Sequence, residues 1–283
     1  MNNQNSEWTS VIKPVSGWFD IHLSELWRYR DLIMLFVRRD FVAVYKQTVL
    51  GPFWFLLQPL FTTLVFTIIF GRIAKIPTDG LPPVLFYMSG ITAWGYFSGC
   101  LNSTSNTFVG NAGIFGKVWF PRLTVPISVV ITNLIRFAIQ FALFFGFWIF
   151  YYANGAAIAP KLLLLFLPLL IIQMAALGLG FGIIVSSLTT KYRDLTNLVG
   201  FGVQLWMYAT PVVYPTSQIP EKYHWLIALN PMAPIIEAFR YSFLGAGTVH
   251  TWQLALSGAT TMLILFVGIV LFSRIEKSFM DTV

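Results

Sequence analysis

The sequence predicts an all-α membrane protein with six transmembrane helices. Of its 283 residues, 57% are hydrophobic and only 10% are charged, whereas a soluble domain carries roughly 25% charged residues. Six stretches are each about as long as the ~20 residues that a helix needs to cross ~30 Å of hydrocarbon. They are residues 51–71, 83–100, 123–152, 162–188, 195–213 and 254–272, and none of them contains a carboxylate. The predicted domain of six spans covers residues 49–275.

Before the first span, a polar segment (residues 1–23) precedes a predicted amphipathic helix (residues 24–48). In this helix apolar side chains recur every three or four positions, and its charged side chains exclude it from spanning. We therefore expect it to lie along the membrane interface. Its basic side chains are candidates for contact with lipid headgroups, and they are Arg28, Arg30, Arg38, Arg39 and Lys46.

The basic residues predict that both termini, including the tail 276–283, are cytoplasmic. Twelve lie on one side of the predicted spans: Lys13, Arg28, Arg30, Arg38, Arg39, Lys46, Lys117, Arg122, Lys191, Arg193, Arg274 and Lys277. Five lie on the other side: Arg72, Lys75, Lys161, Lys222 and Arg240. Cytoplasmic loops carry the excess of lysine and arginine. An even number of spans also requires both termini on one side.

The loop between the second and third spans, residues 109–122, superficially resembles a phosphate-binding loop. The motif G-x-x-x-x-G-K-[ST] would require glycine at position 111 and serine or threonine at 118. The chain has Asn111 and Val118 there, and no strand precedes the loop. A short cytoplasmic helix that fits a partner protein is the preferred interpretation. In the fourth span, Gly178, Gly180 and Gly182 predict a close approach of another helix.

After the fifth span, residues 211–247 are too interrupted by prolines to span and too apolar for an ordinary loop. This segment predicts one or two short re-entrant or interfacial helices at the external mouth. Glu237 and Arg240 are spaced i,i+3 on one of them. The candidate gate residues are Pro211, Tyr214, Pro215, Pro231, Glu237 and Arg240.

Aromatic and amide side chains on two spans suggest a path for sugars, whose rings have apolar faces edged with hydroxyls. Helical spacing places Trp54, Gln58, Phe61 and Val65 on one face of the first span, and Gln204 and Tyr208 on one face of the fifth. Core packing explains any one of these residues equally well. Arg136 is the only charge well inside a span, and the sequence leaves open whether it faces the conduit, a partner helix or headgroups.

The sequence predicts no catalytic residue, metal or cofactor. Its three histidines are isolated, and no two carboxylates are paired in a pattern that suits catalysis. Ion coupling inside a membrane normally needs a titratable group there. The chain therefore has the character of a conduit whose energy comes from elsewhere.

Residues 24 to 275 resemble the transmembrane subunit of type-2 ABC exporters of the polysaccharide and polyol-phosphate class. The strings that carry the resemblance are Trp27-Arg28-Tyr29-Arg30-Asp31-Leu32, Arg39-Asp40, Tyr45-Lys46-Gln47-Thr48-Val49-Leu50-Gly51, Trp54 with Gln58-Pro59-Leu60, Phe120-Pro121-Arg122, Tyr192-Arg193-Asp194, Thr210-Pro211-Val212-Val213-Tyr214-Pro215 and Asn230-Pro231-Met232. Val44 departs from the basic residue that the family pattern has before Tyr45-Lys46.

The resemblance implies a homodimer in the bacterial inner membrane, seated on a separate cytoplasmic ATPase that binds ATP and Mg. Residues 24–48 would be the interface helix, residues 211–247 the external gate, and spans one and five would line the conduit. The coupling helix would lie in residues 109–122, with Asn111, Phe115, Lys117, Phe120, Pro121 and Arg122. The cargo would be a polysaccharide on undecaprenyl pyrophosphate, with O-antigen ahead of teichoic acid or capsule. The alternatives are a membrane-embedded glycolipid transferase and an ion-coupled carrier.

Overall fold

A computed structural model describes residues 23–46, 48–115, 117–118, 120–189 and 194–278. Within these ranges the protein is all-helical and contains no strand. The α-helices are α1 (Leu23–Arg28), α2 (Arg30–Tyr45), α3 (Trp54–Phe66), α4 (Pro83–Ser105), α5 (Thr107–Phe115), α6 (Thr124–Ala153), α7 (Leu167–Thr189), α8 (Leu195–Tyr208), α9 (His224–Leu229), α10 (Met232–Leu244) and α11 (Thr251–Ser278). The polar segment 1–22, Tyr192, Arg193 and residues 279–283 lie outside the described residues.

Within the described ranges, four helical segments are long and apolar enough to cross a membrane: Gly51–Ile73, Thr124–Ala153, Leu162–Thr189 and Thr251–Ile275. They correspond to the first, third, fourth and sixth predicted spans. In the first, a π-helical segment, Thr67–Ile73, continues α3. In the second predicted span, α4 has 23 residues and carries many polar side chains. In the fifth, α8 ends at Tyr208 after 14 residues, shortly before Pro211, whose missing N–H and fixed φ disfavour a continued helix.

Helix α4 is the centre of the bundle and packs against α3, α6, α7, α8 and α10. The predicted close approach at the glycines of α7 is confirmed. A Cβ added at Gly178 would lie 2.7 Å from the Cβ of Cys100 in α4, and one at Gly180 would lie 3.0 Å from the backbone of Leu265 in α11. Alternate glycines of α7 therefore admit α4 on one side and α11 on the other.

The predicted amphipathic helix is present as two helices, α1 and α2, which are separated at Tyr29. The apolar face is confirmed, because Leu26, Ile33 and Val37 are buried. Phe36 is buried as well. Helix α2 packs along α6, so its apolar side is covered by the bundle.

The two ends of the bundle differ in character. The end that carries α2, α5 and residues 117–122 is called the α5 end, and the opposite end, with α9, α10 and residues 209–223, is called the α10 end. A compact aromatic cluster holds the α5 end together, and its buried members are Phe36, Phe108, Phe115, Phe120, Val125, Ile183 and Phe272. These residues come from α2, α5, α6, α7, α11 and the segment after α5.

Candidate functional site

The six predicted conduit residues are all exposed on the protomer. On α3, Trp54, Phe61 and Val65 are 49%, 60% and 44% exposed, and Gln58 is exposed between them. On α8, Gln204 and Tyr208 are exposed. Both helices pack against α4. None of these side chains therefore belongs to the core of one chain, and their faces are available to lipid, to a second copy or to a cargo.

The predicted gate residues at the α10 end are largely buried. Arg240 and Glu237 are 1% and 4% exposed, and the guanidinium Nη1 lies 3.1 Å from the carboxylate Oε1. Arg240 Nη2 also donates to the carbonyl oxygens of Pro211 and Val212, at 2.9 and 3.3 Å. The sequence predicted the i,i+3 pair but not these carbonyl partners. The pair therefore ties α10 to the irregular segment after α8.

Further contacts surround this buried ion pair, although Arg240 Nε has no hydrogen-bond partner. Thr216 Oγ1 donates to Glu237 Oε1 at 2.7 Å, and the Arg240 guanidinium lies 3.8 Å from the centre of the Phe86 ring in α4. Burial lowers the pKa of Arg240, while the Glu237 carboxylate raises it. An arginine side chain nevertheless stays protonated in proteins. Nearby, burial raises the pKa of the Tyr214 phenol, which keeps it a neutral hydroxyl.

A second polar junction fixes the chain between α8 and α10. Asn230 Oδ1 accepts a hydrogen bond from Trp206 Nε1 at 3.2 Å, and Asn230 Nδ2 donates to Thr210 Oγ1 at 2.8 Å. Pro231 beside it is buried, as are Pro211 and Pro215. These prolines therefore pack within the α10 end rather than presenting a free surface.

The predicted coupling residues differ in how deeply they are buried. Phe115, Phe120 and Arg122 are buried, and the Arg122 guanidinium lies 5.6 Å from the centre of the Phe115 ring. Lys117 is exposed, while Asn111 and Pro121 are half-buried. Of the residues that the structure describes in this region, the exposed ones are Val109, Gly110, Gly113, Lys117 and Val118. The aromatic members thus anchor the segment inside the bundle, and the exposed members face outward.

Among the predicted headgroup residues, Arg39 contacts the coupling region. Its Nη2 donates to Asn111 Oδ1 at 3.5 Å, its guanidinium lies 4.7 Å from the centre of the Phe36 ring, and its Nε lies 2.8 Å from Asp40. The other four, Arg28, Arg30, Arg38 and Lys46, have exposed side chains. Arg39 therefore links α2 to α5.

A cleft of about 270 Å³ lies between α3, α4 and α6, and the sequence did not predict it. Its polar lining comes from Gln58 and Thr62 of α3, Ser98 and Asn102 of α4, and Asn133, Arg136 and Gln140 of α6. The spacing of the three α6 residues, at i, i+3 and i+7, places them on one face of the helix and was visible in the sequence. We call this space the polar cleft.

Residues 31–244, well over half of the chain, match the ABC-2 type transporter family. The chain belongs to this family. The resemblance drawn from the sequence is therefore confirmed, and the protein is a membrane-embedded ABC-2 permease. It is also similar to proteins named O-antigen export system permease protein RfbA. One from Klebsiella pneumoniae is 27% identical over 89% of this chain and 94% of its own length. The one from Myxococcus xanthus is 25% identical over 92% and 98%.

Proposed function

We propose that this permease is the transmembrane subunit of an ATP-driven exporter that moves O-antigen, carried on undecaprenyl pyrophosphate, across the bacterial inner membrane. The observation that carries the proposal is the similarity, over about nine-tenths of the chain, to permeases named for O-antigen export. The exposed aromatic and amide face of α3, with Trp54 and Gln58, is chemically suited to sugar rings. An exporter of teichoic acid or capsule would use the same architecture with another cargo.

Six spans with both termini in the cytoplasm remain part of this proposal. Helix α4 has 23 residues, about 34 Å at 1.5 Å per residue, which is enough to cross the hydrocarbon. It packs against α6 and α7, which are long enough to span, so its polar side chains need not face lipid. In the fifth span, α8 is about 21 Å long and would be completed by residues 209–213. The excess of basic residues supports a cytoplasmic location for the α5 end.

The energy for export comes, in this proposal, from a separate ATPase that binds ATP and Mg and docks on the α5 end. The outward surface of α5 and Lys117 would receive its motion. Phe115 and Phe120 would pass that motion to α2, α6, α7 and α11, because close-packed interiors transmit strain. The exposed faces of α3 and α8 would line the conduit in a homodimer.

The glycolipid transferase alternative loses its best candidate residue. Such an enzyme would need a carboxylate near the membrane interface, and Glu237 is the carboxylate in a suitable region of the chain. The Glu237 carboxylate instead binds Arg240 and Thr216 inside the buried α10 end. Loss of function on replacing Glu237 by Gln would therefore report on the α10 end and would not support catalysis.

The test of the proposed function is deletion of the gene and complementation in its own host. We expect O-antigen to disappear from the cell surface while lipid-linked polymer accumulates inside, and the intact gene to restore export. Normal surface O-antigen in the deletion strain, with another surface polymer missing, would overturn the proposed cargo.

A further inference from the structure

The polar cleft has an unusual charge balance for a space between membrane-spanning helices. Among its lining residues Arg136 is the only one with a charge, and the others offer neutral amides, hydroxyls and aromatic rings. Among the described residues, no carboxylate lies within salt-bridge distance of Arg136. Asp40 of α2 acts on Arg136 electrostatically, and it is itself paired with Arg39 at 2.8 Å. Among the described residues, the positive charge of the cleft therefore has no ion-pair partner of its own.

The donors of Arg136 are only partly used within the protein. Nη1 reaches Asn133 Oδ1 at the long distance of 3.5 Å, and the buried Nε has no hydrogen-bond partner. The guanidinium is held over the Phe55 ring, with its carbon 5.3 Å from the ring centre. A buried donor without a partner costs free energy, so a ligand that accepts from it is favoured. The planar guanidinium matches the oxygens of a phosphate.

Glycines of α4 make room for the amides around this guanidinium. A Cβ added at Gly99 would lie 2.8 Å from Asn133 Oδ1, and one at Gly95 would lie 3.3 Å from Gln140 Oε1. Helix α4 therefore approaches α6 closely at this level. Asn133 Nδ2 donates to the carbonyl oxygen of Val129 at 2.9 Å, so the amide groups of Gln58 and Gln140 are the further donors that line the cleft. The volume of about 270 Å³ suits a small headgroup but not an oligosaccharide.

The depth of the cleft matches the headgroup region at the α5 end. Helix α6 has 30 residues and is about 45 Å long, which exceeds the ~30 Å of hydrocarbon by about 15 Å. The amphipathic helix α2 packs along α6, which places the surplus length at the α5 end. Arg136 lies twelve residues after Thr124, about 18 Å along the helix. Its guanidinium therefore lies close to the boundary of the hydrocarbon.

The cleft is also continuous with the predicted conduit face. Gln58 lines the cleft and is exposed on the face of α3 that carries Trp54, Phe61 and Val65. A headgroup bound beside Arg136 would therefore lie next to the side chains that suit sugar rings.

We propose that the polar cleft binds the phosphate group of a lipid, with Arg136 as its charge partner and the side-chain amides of Gln58 and Gln140 as neutral donors. The source of that phosphate is either the diphosphate of the lipid-linked cargo, which rests on the proposed function, or the headgroup of a bilayer phospholipid. Both have the same chemistry, a phosphate ester that is anchored at the membrane surface.

The experiment measures binding of radiolabelled polyprenyl diphosphate to the permease–ATPase complex in phosphatidylcholine nanodiscs. We expect saturable binding that Arg136→Gln weakens at least about tenfold, since hydrogen bonds to charged groups are the stronger class. Arg136→Lys should be intermediate, because an ammonium keeps the charge and loses the planar fork. The control is Arg72→Gln, an exposed arginine at the other end of the first span, which should bind as the wild type does.

Two further arms identify the source of the phosphate and protect the test against misfolding. Replacing part of the phosphatidylcholine by phosphatidylglycerol should leave binding unchanged if the cargo is the source. If phosphatidylglycerol instead displaces the labelled diphosphate, and does so only when Arg136 is present, the cleft is still a phosphate site. Its ligand is then assigned to the bilayer phospholipid. Gln140→Leu probes the same cleft without touching the charge and should weaken binding severalfold, so the proposal stays testable if Arg136→Gln does not fold.

The proposal is overturned if Arg136→Gln and Gln140→Leu both bind the diphosphate as the wild type does, or if Arg72→Gln loses as much binding as Arg136→Gln. Export of polysaccharide is measured in parallel. If the wild type exports polysaccharide normally but binding of the diphosphate does not depend on Arg136, the proposed phosphate site is overturned and the proposed function is not. Arg136-dependent binding by a complex that exports no polysaccharide would overturn the proposed function alone.

Discussion

Replacing Arg240 by Met should loosen the α10 end selectively. The substitution removes the ion pair with Glu237 at 3.1 Å and the hydrogen bonds to the carbonyls of Pro211 and Val212. It leaves Glu237 buried with Thr216 as its remaining hydrogen-bond partner. Removing one partner of a buried ion pair costs about 3–5 kcal/mol. At roughly 2 °C per kcal/mol for a chain of this size, the Tm should fall by roughly 6–10 °C.

The assay is thermal unfolding of the purified permease–ATPase complex, together with proteolysis of the segment around Pro211. A double replacement, Glu237→Leu with Arg240→Met, should recover most of the lost stability, because it leaves no buried charge without a partner. The matched control is Arg72→Met, whose side chain is exposed at the same end of the protein. A change of less than 1 °C for Arg240→Met, or a double variant no better than the single one, would refute the reasoning.

Three other predictions concern coupling, packing and the conduit. Phe115→Ala should lower export per ATP hydrolysed and reduce the free energy of unfolding by about 3–5 kcal/mol, and Phe115→Leu should have smaller effects on both. Equal export per ATP in the two variants would contradict a role for the aromatic ring. Gly178→Ala should destabilise the fold through its clash with Cys100, whereas Gly146→Ala, with no neighbour within 4 Å, should be neutral, and equal Tm values would disprove the contact. Tyr208→Ala should slow glycan passage severalfold with an unchanged Tm, and a matching loss of protein level would instead indicate packing.

The length of an uninterrupted apolar segment predicted the helices that face lipid. It predicted less well the helices that are surrounded by protein. Segments such as Thr124–Ala153 stand out because a lipid-facing helix must be apolar along its length. Helix α4 is surrounded by protein and can carry serine and threonine, so its composition falls below that of the clear spans. Helix α8 was expected to reach residue 213 and ends at Tyr208, close to Pro211.

The sequence predicted those contacts that follow from the spacing of residues along one helix. It did not predict contacts that depend on how separate segments pack together. Glu237 and Arg240 pair as their i,i+3 spacing predicts, but the carbonyls that complete the site come from a segment with no repeat. Phe115 and Lys117 were assigned one role, although burial separates them, and nothing in a short loop distinguishes an anchor from a contact residue. The polar cleft is formed by side chains from α3, α4 and α6 together. The polar face of α6 around Arg136 was therefore not enough to predict it.

The central claim is that this permease does no uphill work of its own. The most direct test is transport of lipid-linked polysaccharide into sealed proteoliposomes that contain the permease alone or the permease with its ATPase. We predict uphill transport with both subunits and ATP, and none with the permease alone under any imposed proton or sodium gradient. Accumulation by the permease alone would contradict this account.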